Sequence, residues 1–266
     1  MTVRPSQAYL AVLQYDGAEF VGWQRQATGR SVQGEVEAAL ERMIGRRASV
    51  TGAGRTDAGV HAVGQAASFA VPGAWKGGAD GLRRGLNALL PRDVWVERTH
   101  AMRPGFHARR DASARQYRYV IGTDDASRSP FRRGHEWSLG RPLELDTLAQ
   151  AAACLVGEHE FRGLAAAGAA TPHYRCRVAL AEWAPRTDGM GVTFTIEADR
   201  FLHRMVRFLV GVMVDIALHR RPLADLTHLL DASDNHEASP PAPPEGLYLV
   251  TVRYPQHLFA ENGASA

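Results

Sequence analysis

The chain has 266 residues and a mass of 29.0 kDa, enough for one large domain or two of ordinary size. Its content of 45% hydrophobic and 22% charged residues is typical of a folded protein and excludes an intrinsically disordered one. The formal net charge of +3 is too small for a strong field around the whole molecule. Any preference for an anionic partner must therefore come from local clusters of charge.

The sequence shows no secretory signal and no membrane span, so we expect a cytoplasmic protein without a membrane partner. Its most apolar stretch, residues 205–219, is interrupted by Arg207 and Asp215 and is too short to cross a bilayer. The two cysteines, Cys154 and Cys176, lack the spacing of a metal site. We expect both to be reduced.

Alternation and turn residues predict the order β-α-β-β-α-β in the first part of the chain. The predicted strands are residues 8–17, 48–54, 64–72 and 94–101. The predicted helices are residues 31–45, with Ser31 as the N-cap, and residues 80–91, which end before Pro91.

The same order is predicted again further along the chain, with strands at 115–123, 177–185, 191–199 and 246–254 and helices at 145–157, 202–219 and 222–231. We therefore predict an α+β fold made of two split β-α-β (ferredoxin-like) halves, with antiparallel sheets and helices on one face. The predicted domains are residues 1–104 and 105–266. Residues 158–160 are interpreted as a polar helix end, 232–245 as a surface loop and the tail after Tyr254 as loosely held.

The stretch TGAGRTDAGVHAVGQ, residues 51–65, places one acid, Asp57, among four glycines. It fits neither the dinucleotide fingerprint nor a P-loop, because the sixth position of GAGRTD is an acid and the Lys-Ser/Thr pair is absent. Glycines 52, 54 and 59 would allow positive φ or the close approach of a ligand. A solvated turn acid is one interpretation, a metal ligand together with His61 is another, and a catalytic carboxylate is the third.

The predicted helix at 202–219 carries a polar stripe on an otherwise apolar surface, made of Arg204, Arg207, Gly211 and Asp215. An arginine at the start of such a helix can extend its head group to water, but Arg207 lies further in and needs a counter-charge. If Arg207 pairs with Asp57, the acid stays ionised despite burial. An ionised carboxylate suits a nucleophile or a base.

Arginine accounts for 30 of the 31 basic residues, since Lys76 is the only lysine. Two clusters stand out, at residues 103–118 and 128–133. Arginine forks onto phosphates and stacks on bases, so these clusters predict a nucleic-acid partner. A solvated protein face is the alternative.

Several segments together resemble the TruA-type tRNA pseudouridine synthases. They are YDGAEFVGWQRQ (15–26), SVQGEVEAAL (31–40), AGRTDAGVHAVGQ (53–65), FHAR (106–109), RQYRY (115–119), FLHRMVR (201–207) and EGLYLV (245–250). The resemblance implies the pseudouridine synthase fold, with Asp57 as the catalytic aspartate and Arg207 as its basic partner. It also implies that Tyr117 stacks on the target uracil and that Arg55 takes the place of the extruded base.

The same resemblance implies conversion of uridine to pseudouridine at positions 38, 39 and 40 of the tRNA anticodon stem-loop, by a homodimer without cofactor or metal. It leaves open whether Asp57 attacks C1′, attacks C6 or removes the C2′ proton. The sequence departs from the family pattern at Arg110, at Asp111 and over residues 161–177.

Two other classes of function stay open from the residues. A catalytically silent protein that binds or folds tRNA would use the same arginines. A metal-dependent hydrolase would use Asp57 and His61.

Overall fold

The computed structural model describes residues 6–166 and 173–260, so residues 167–172 of the divergent segment lie outside the described residues. The described strands are β1 (Ser6–Tyr15), β2 (Thr51–Gly52), β3 (His61–Pro72), β4 (Val94–Met102), β5 (Ala114–Gly122), β6 (Trp137–Ser138), β7 (Gly157–Glu160), β8 (Arg175–Pro185), β9 (Gly191–Ala198) and β10 (Leu247–Arg253). The described helices are α1 (Val32–Ile44), α2 (Gly78–Leu89), α3 (Leu145–Ala153), α4 (Met205–Ala217) and α5 (Ala224–Asp231). The predicted α+β fold class is confirmed.

Residues 6–113 and 249–260 form the first of two compact units. Its strands follow the order β4-β1-β3-β10, and β2 pairs with β3. Strand β1 is antiparallel to both neighbours, with Leu10 opposite Ser68 on β3 and His100 on β4. Helix α2 packs against β4, and α1 packs against α2. The predicted N-cap is confirmed, because the Ser31 side chain accepts a hydrogen bond from Gly34 N.

The last segment of this unit packs on a hydrophobic cluster. Leu10, Met102 and Ala108 are buried there, and Leu258 and Phe259 pack against them. The prediction that the tail after Tyr254 is loosely held is therefore wrong for residues 255–260. Burial of their apolar side chains stabilises the segment, which the polar composition of the tail concealed.

Residues 114–166 and 173–248 form the second unit. Its strands follow the order β5-β9-β8-β7, and the short β6 lies parallel to β5. Strands β5 and β9 are antiparallel, with Tyr117 opposite Ile196. Helix α3 packs against β8 and α4. Residues on every side of α4 are buried, which agrees with its apolar sequence.

The polar residues 158–160 form part of a strand, so their interpretation as a helix end is wrong. Helix α3 ends at Ala153, and β7 pairs antiparallel with β8. Glu158 Oε2 lies 3.2 Å from Arg177 Nη2 across this pair. Such cross-strand pairs of opposite charge stabilise a strand that has little apolar surface of its own.

The contacts divide the chain differently from the predicted domains 1–104 and 105–266. Residues 249–260 join the first unit, because β10 pairs with β3 and the following residues pack on the cluster around Leu10. Compact units need not fold alone, so the domain boundaries stay a prediction.

None of the described helices has the length and apolar character needed to cross a membrane. Cys154 and Cys176 are both free thiols. Burial raises the pKa of the Cys176 thiol to about 12, which keeps it protonated and unreactive at neutral pH.

A buried carboxylate, Glu136, organises the loop between β5 and β6. It is 3% exposed and pairs with both Arg132 and Arg186. Arg132 Nε lies 2.8 Å from Glu136 Oε1 without the alignment of a hydrogen bond, so this contact is an ion pair only. The two terminal nitrogens of Arg132 each donate to Asp124 at 2.7 Å. These bonds lower the pKa of Asp124.

We expect Glu136→Gln to lower the free energy of unfolding by about 3 kcal/mol, because two partly buried arginines lose their shared counter-charge. The matched control is Asp125→Asn, which removes an exposed carboxylate 3.4 Å from Arg128. We expect no measurable change in the control. Urea denaturation of both variants checks this, and equal stabilities would contradict a structural role for Glu136.

Candidate active site

Asp57 lies on the loop between β2 and β3, and backbone contacts hold it on two sides. Trp23 N donates to Thr56 O at 3.0 Å, and Gly22 forms an isolated antiparallel bridge with Asp57. Within the loop, Val60 N donates to Asp57 O at 3.2 Å. The side chain of Asp57 is half-buried. The loop therefore presents this carboxylate from a fixed backbone.

The approach of the chain to Asp57 requires glycine at position 22. Gly22 has a φ of +113°, and a Cβ there would lie 2.6 Å from Thr56 O. Either feature disfavours any other residue. No motif singled out from the sequence pointed to this use of Gly22.

Two of the four glycines around Asp57 are required by packing. A Cβ on Gly52 would lie 2.4 Å from the Trp23 ring, and one on Gly64 would lie 2.0 Å from Val250 O. Neither has positive φ, whereas Gly59 has a φ of +77° as predicted. Of the two uses predicted for glycines 52, 54 and 59, positive φ is found at Gly59 only, and the close approach of a ligand stays a prediction.

A buried polar network lies beneath the loop, and the sequence analysis missed it. Tyr15 Oη and Thr56 Oγ1 are 2.8 Å apart, and Gln65 Nε2 donates to Gly54 O at 2.9 Å. Burial raises the pKa of Tyr15 to about 12. Tyr15 and Gln65 look like ordinary strand residues, so the only available signal was a glutamine inside an apolar strand.

Arg55 is exposed beside the buried Thr56 in the same loop as Asp57. His61 is 2% exposed, and its Nδ1 accepts a hydrogen bond from Gly17 N at 3.0 Å. The same atom lies 3.2 Å from Asp16 Oδ1. In residues 6–166 and 173–260, no cluster of three or more possible metal ligands includes Asp57.

Tyr117 and Arg207 both belong to the second unit. Tyr117 is 7% exposed, and its ring packs edge-on against Phe201 with centroids 4.9 Å apart. Arg207 lies in the first turn of α4, where its Nε donates to Ala242 O at 2.6 Å. Ala242 N donates back to Arg207 O at 2.9 Å. Arg207 thus holds a neighbouring loop as well as carrying a charge.

The proline-rich segment 232–245 is not simply a surface loop. Ala242 is 2% exposed, and a Cβ on Gly211 would lie 2.3 Å from Pro240 O. The small residue on α4 therefore lets this segment pack against the helix. Gly211, which the sequence analysis placed in a polar stripe of this helix, therefore has a packing role.

The arginine clusters divide into internal and exposed residues. Arg115 is 9% exposed and donates through Nη1 to Asp199 O at 2.8 Å, and Arg132 binds Asp124. A side chain that binds phosphate must reach solvent, whereas the guanidinium groups of Arg115 and Arg132 are used inside the protein. The exposed members of the first cluster are Arg103, Arg109, Arg110 and Arg118.

One departure from the family pattern has a local use. Asp111 Oδ2 accepts a hydrogen bond from His107 N at 2.7 Å, so the acid stabilises the turn in which it lies. Arg110, the other departure in this segment, is exposed.

Of the four predicted site residues, the first unit brings Arg55 and Asp57 together in one loop. The second unit carries Tyr117 and Arg207. The pairing of Arg207 with Asp57 and the roles of all four residues stay predictions.

We expect Gly22→Ala to lower the free energy of unfolding by about 3 kcal/mol, from backbone strain and the contact with Thr56 O. Gly45→Ala is the matched control, because Gly45 also has positive φ, +71°, but a Cβ there meets nothing within 4 Å. It should cost about 1 kcal/mol. Urea denaturation compares the two, and equal losses would show that the approach to Thr56 is not tight.

The family model described as tRNA pseudouridine synthase matches residues 11–109 and 151–255 of the chain. These segments include Asp57 and Arg207 but not Tyr117, which lies between them.

Curated relatives carry the name tRNA pseudouridine synthase A. The protein from Myxococcus xanthus is 40% identical over 242 residues, covering 91% of this chain and 90% of its own. That from Shewanella amazonensis is 40% identical over 247 residues, covering 92% of each. That from Moorella thermoacetica is 39% identical over 244 residues, covering 91% of this chain and 97% of its own. The predicted resemblance is confirmed: the chain belongs to the tRNA pseudouridine synthases, an isomerase family that converts uridine to pseudouridine.

Proposed function

We propose that this enzyme converts uridines 38, 39 and 40 of the tRNA anticodon stem-loop to pseudouridine, with Asp57 as the catalytic carboxylate. The observation that carries the proposal is the half-buried Asp57 on a loop fixed by the Gly22 bridge, inside the family-matched residues 11–109. The enzyme acts as a homodimer, in the cytoplasm, where its tRNA substrate is found.

The reaction rearranges a nucleoside without changing its composition. The N1–C1′ bond breaks, the uracil turns over, and a C5–C1′ bond forms. The proton on C5 is lost to solvent, and N1 takes up a proton in its place. Because nothing is oxidised, reduced or hydrolysed overall, we propose that the enzyme needs no cofactor.

Asp57 acts in its ionised form. Attack on C1′, attack on C6 and removal of the C2′ proton all require a carboxylate held at one position relative to the ribose. The fixed backbone of the loop supports this requirement. The buried contact between Tyr15 and Thr56 stabilises the loop from below.

The target uridine must leave the base stack before it reaches Asp57, which costs a few kcal/mol. We propose that the exposed guanidinium of Arg55 fills the gap, because its planar head group stacks as a base does. Tyr117 is proposed to stack on the flipped uracil, which contributes about 1–3 kcal/mol. Phe201 supports this ring from its edge.

Arg207 is proposed to provide the positive charge that keeps Asp57 ionised. The bond from its Nε to Ala242 O restricts the orientation of the guanidinium. Exposed arginines such as Arg103 and Arg118 are proposed to contact phosphates, which would make tRNA binding depend on salt.

We expect Asp57→Asn to abolish tritium release from tRNA labelled at C5 of uridine, because the amide has nearly the same shape but no charge. The affinity for tRNA should stay within about twofold, since phosphate contacts dominate binding. Single-turnover release and filter binding measure the two effects. Tritium release by the variant at the wild-type rate would contradict the assignment.

Tritium release by the wild-type protein, measured with and without EDTA, distinguishes the proposed function from the two alternatives. A metal-dependent hydrolase using Asp57 and His61 would lose activity in EDTA, whereas we expect tritium release to survive. A silent tRNA-binding protein would bind tRNA without any tritium release.

We expect Arg207→Leu to slow tritium release at least about 100-fold, because the ionised acid loses its counter-charge. Arg207→Lys loses the geometry of the bond to Ala242 O but keeps the charge, so it should retain more activity than Arg207→Leu. Thermal unfolding of both variants measures the structural share of the effect. Wild-type activity in Arg207→Leu would refute the pairing.

A further inference from the structure

The loop between β5 and β6 displays an apolar side chain to solvent. Phe131 is 91% exposed, more than any other large apolar residue in residues 6–166 and 173–260, among which Trp95 follows at 49%. We call residues 128–133 the Phe131 loop. Its ring offers a flat apolar face on which the ring of a partner can stack.

The Phe131 loop is held in place from within. Arg132, between Phe131 and Arg133, points its guanidinium to Asp124 and Glu136. Backbone nitrogens of Arg132 and Arg133 donate to Ser129 O at 3.0 and 2.9 Å. Phe131 is therefore exposed by the geometry of an ordered turn, and its display costs little conformational entropy on binding.

Two arginines of the Phe131 loop, Arg128 and Arg133, carry positive charge and face solvent. Arg133 is exposed. Arg128 is 69% exposed and lies 3.4 Å from the exposed Asp125, a weak pair that phosphate can replace. An aromatic ring between arginines matches single-stranded RNA, since bases stack on the ring and phosphates bind guanidinium groups.

We propose that the Phe131 loop binds the tRNA substrate, with Phe131 stacked on a nucleobase and Arg133 on a phosphate. The proposal rests on the proposed action on tRNA and adds a contact to it. A second copy of the chain fits less well, because its net charge of +3 offers no excess of negative charge to this cationic patch. RNA supplies the negative charge that this patch needs.

Three substitutions at position 131 distinguish these partners, and all are made at an exposed site. Phe131→Trp keeps a stacking face, Phe131→Leu keeps only apolar surface, and Phe131→Ala removes both. We expect the Kd for tRNA to rise at least about fivefold in the Leu and Ala variants and to stay near the wild-type value in the Trp variant.

Arg133→Ala tests the phosphate contact. It should reduce the slope of log Kd against log salt by about one. Arg132 is unsuitable for this comparison because it holds the turn, and its loss would change the loop itself.

The proposal would be overturned if Kd were unchanged in both Phe131→Ala and Arg133→Ala. It would also be overturned if Phe131→Leu bound tRNA normally while Phe131→Ala lost affinity and had a lower mass by light scattering. That pattern assigns the loop to an interface between copies. Absence of tritium release in the wild type would instead refute the proposed function and leave the binding result intact.

Discussion

The antiparallel bridge between Gly22 and Asp57 is the constraint on which the candidate active site depends. It forms because the chain at Gly22 has a φ of +113° and approaches Thr56 O too closely for any side chain. The bridge fixes the backbone of Asp57 while its side chain stays half-buried. A catalytic carboxylate needs this combination, because it must keep its position while a substrate reaches it.

The arginine-rich composition serves two separate purposes. Arg115 and Arg132 are used inside the protein, where each donates to a carbonyl or a carboxylate. Others, such as Arg118 and Arg133, face solvent. Burying an arginine requires a partner for its charge, which these two find in backbone oxygens and acids. The exposed arginines are the ones that an anionic partner would contact.

The sequence predicted the long elements well, because their apolar residues recur with clear periods. It failed for β7, whose polar residues GEHE depend on pairing with β8, and for residues 255–260, whose apolar side chains pack on distant strands. Strand β6 has only two residues, too few to show alternation, and the predicted strand at residues 48–54 is reduced to β2, Thr51–Gly52. Each failure concerns an interaction between residues far apart in sequence.

At the candidate site, too, the sequence did not predict interactions between residues far apart along the chain. Asp57 and Arg55 could be singled out as candidates because an acid and an arginine among glycines are unusual in one short segment. The packing roles of Gly52 and Gly64 could not, since they depend on Trp23 and Val250. The contact of Tyr15 with Thr56 joins residues 41 positions apart, and local patterns carry no trace of it.

The most direct test of the account is to map pseudouridine in unmodified tRNA after incubation with the purified protein. The account predicts new pseudouridine at positions 38, 39 and 40 and nowhere else. Unchanged uridines at these positions, or modification only at other sites, would contradict it.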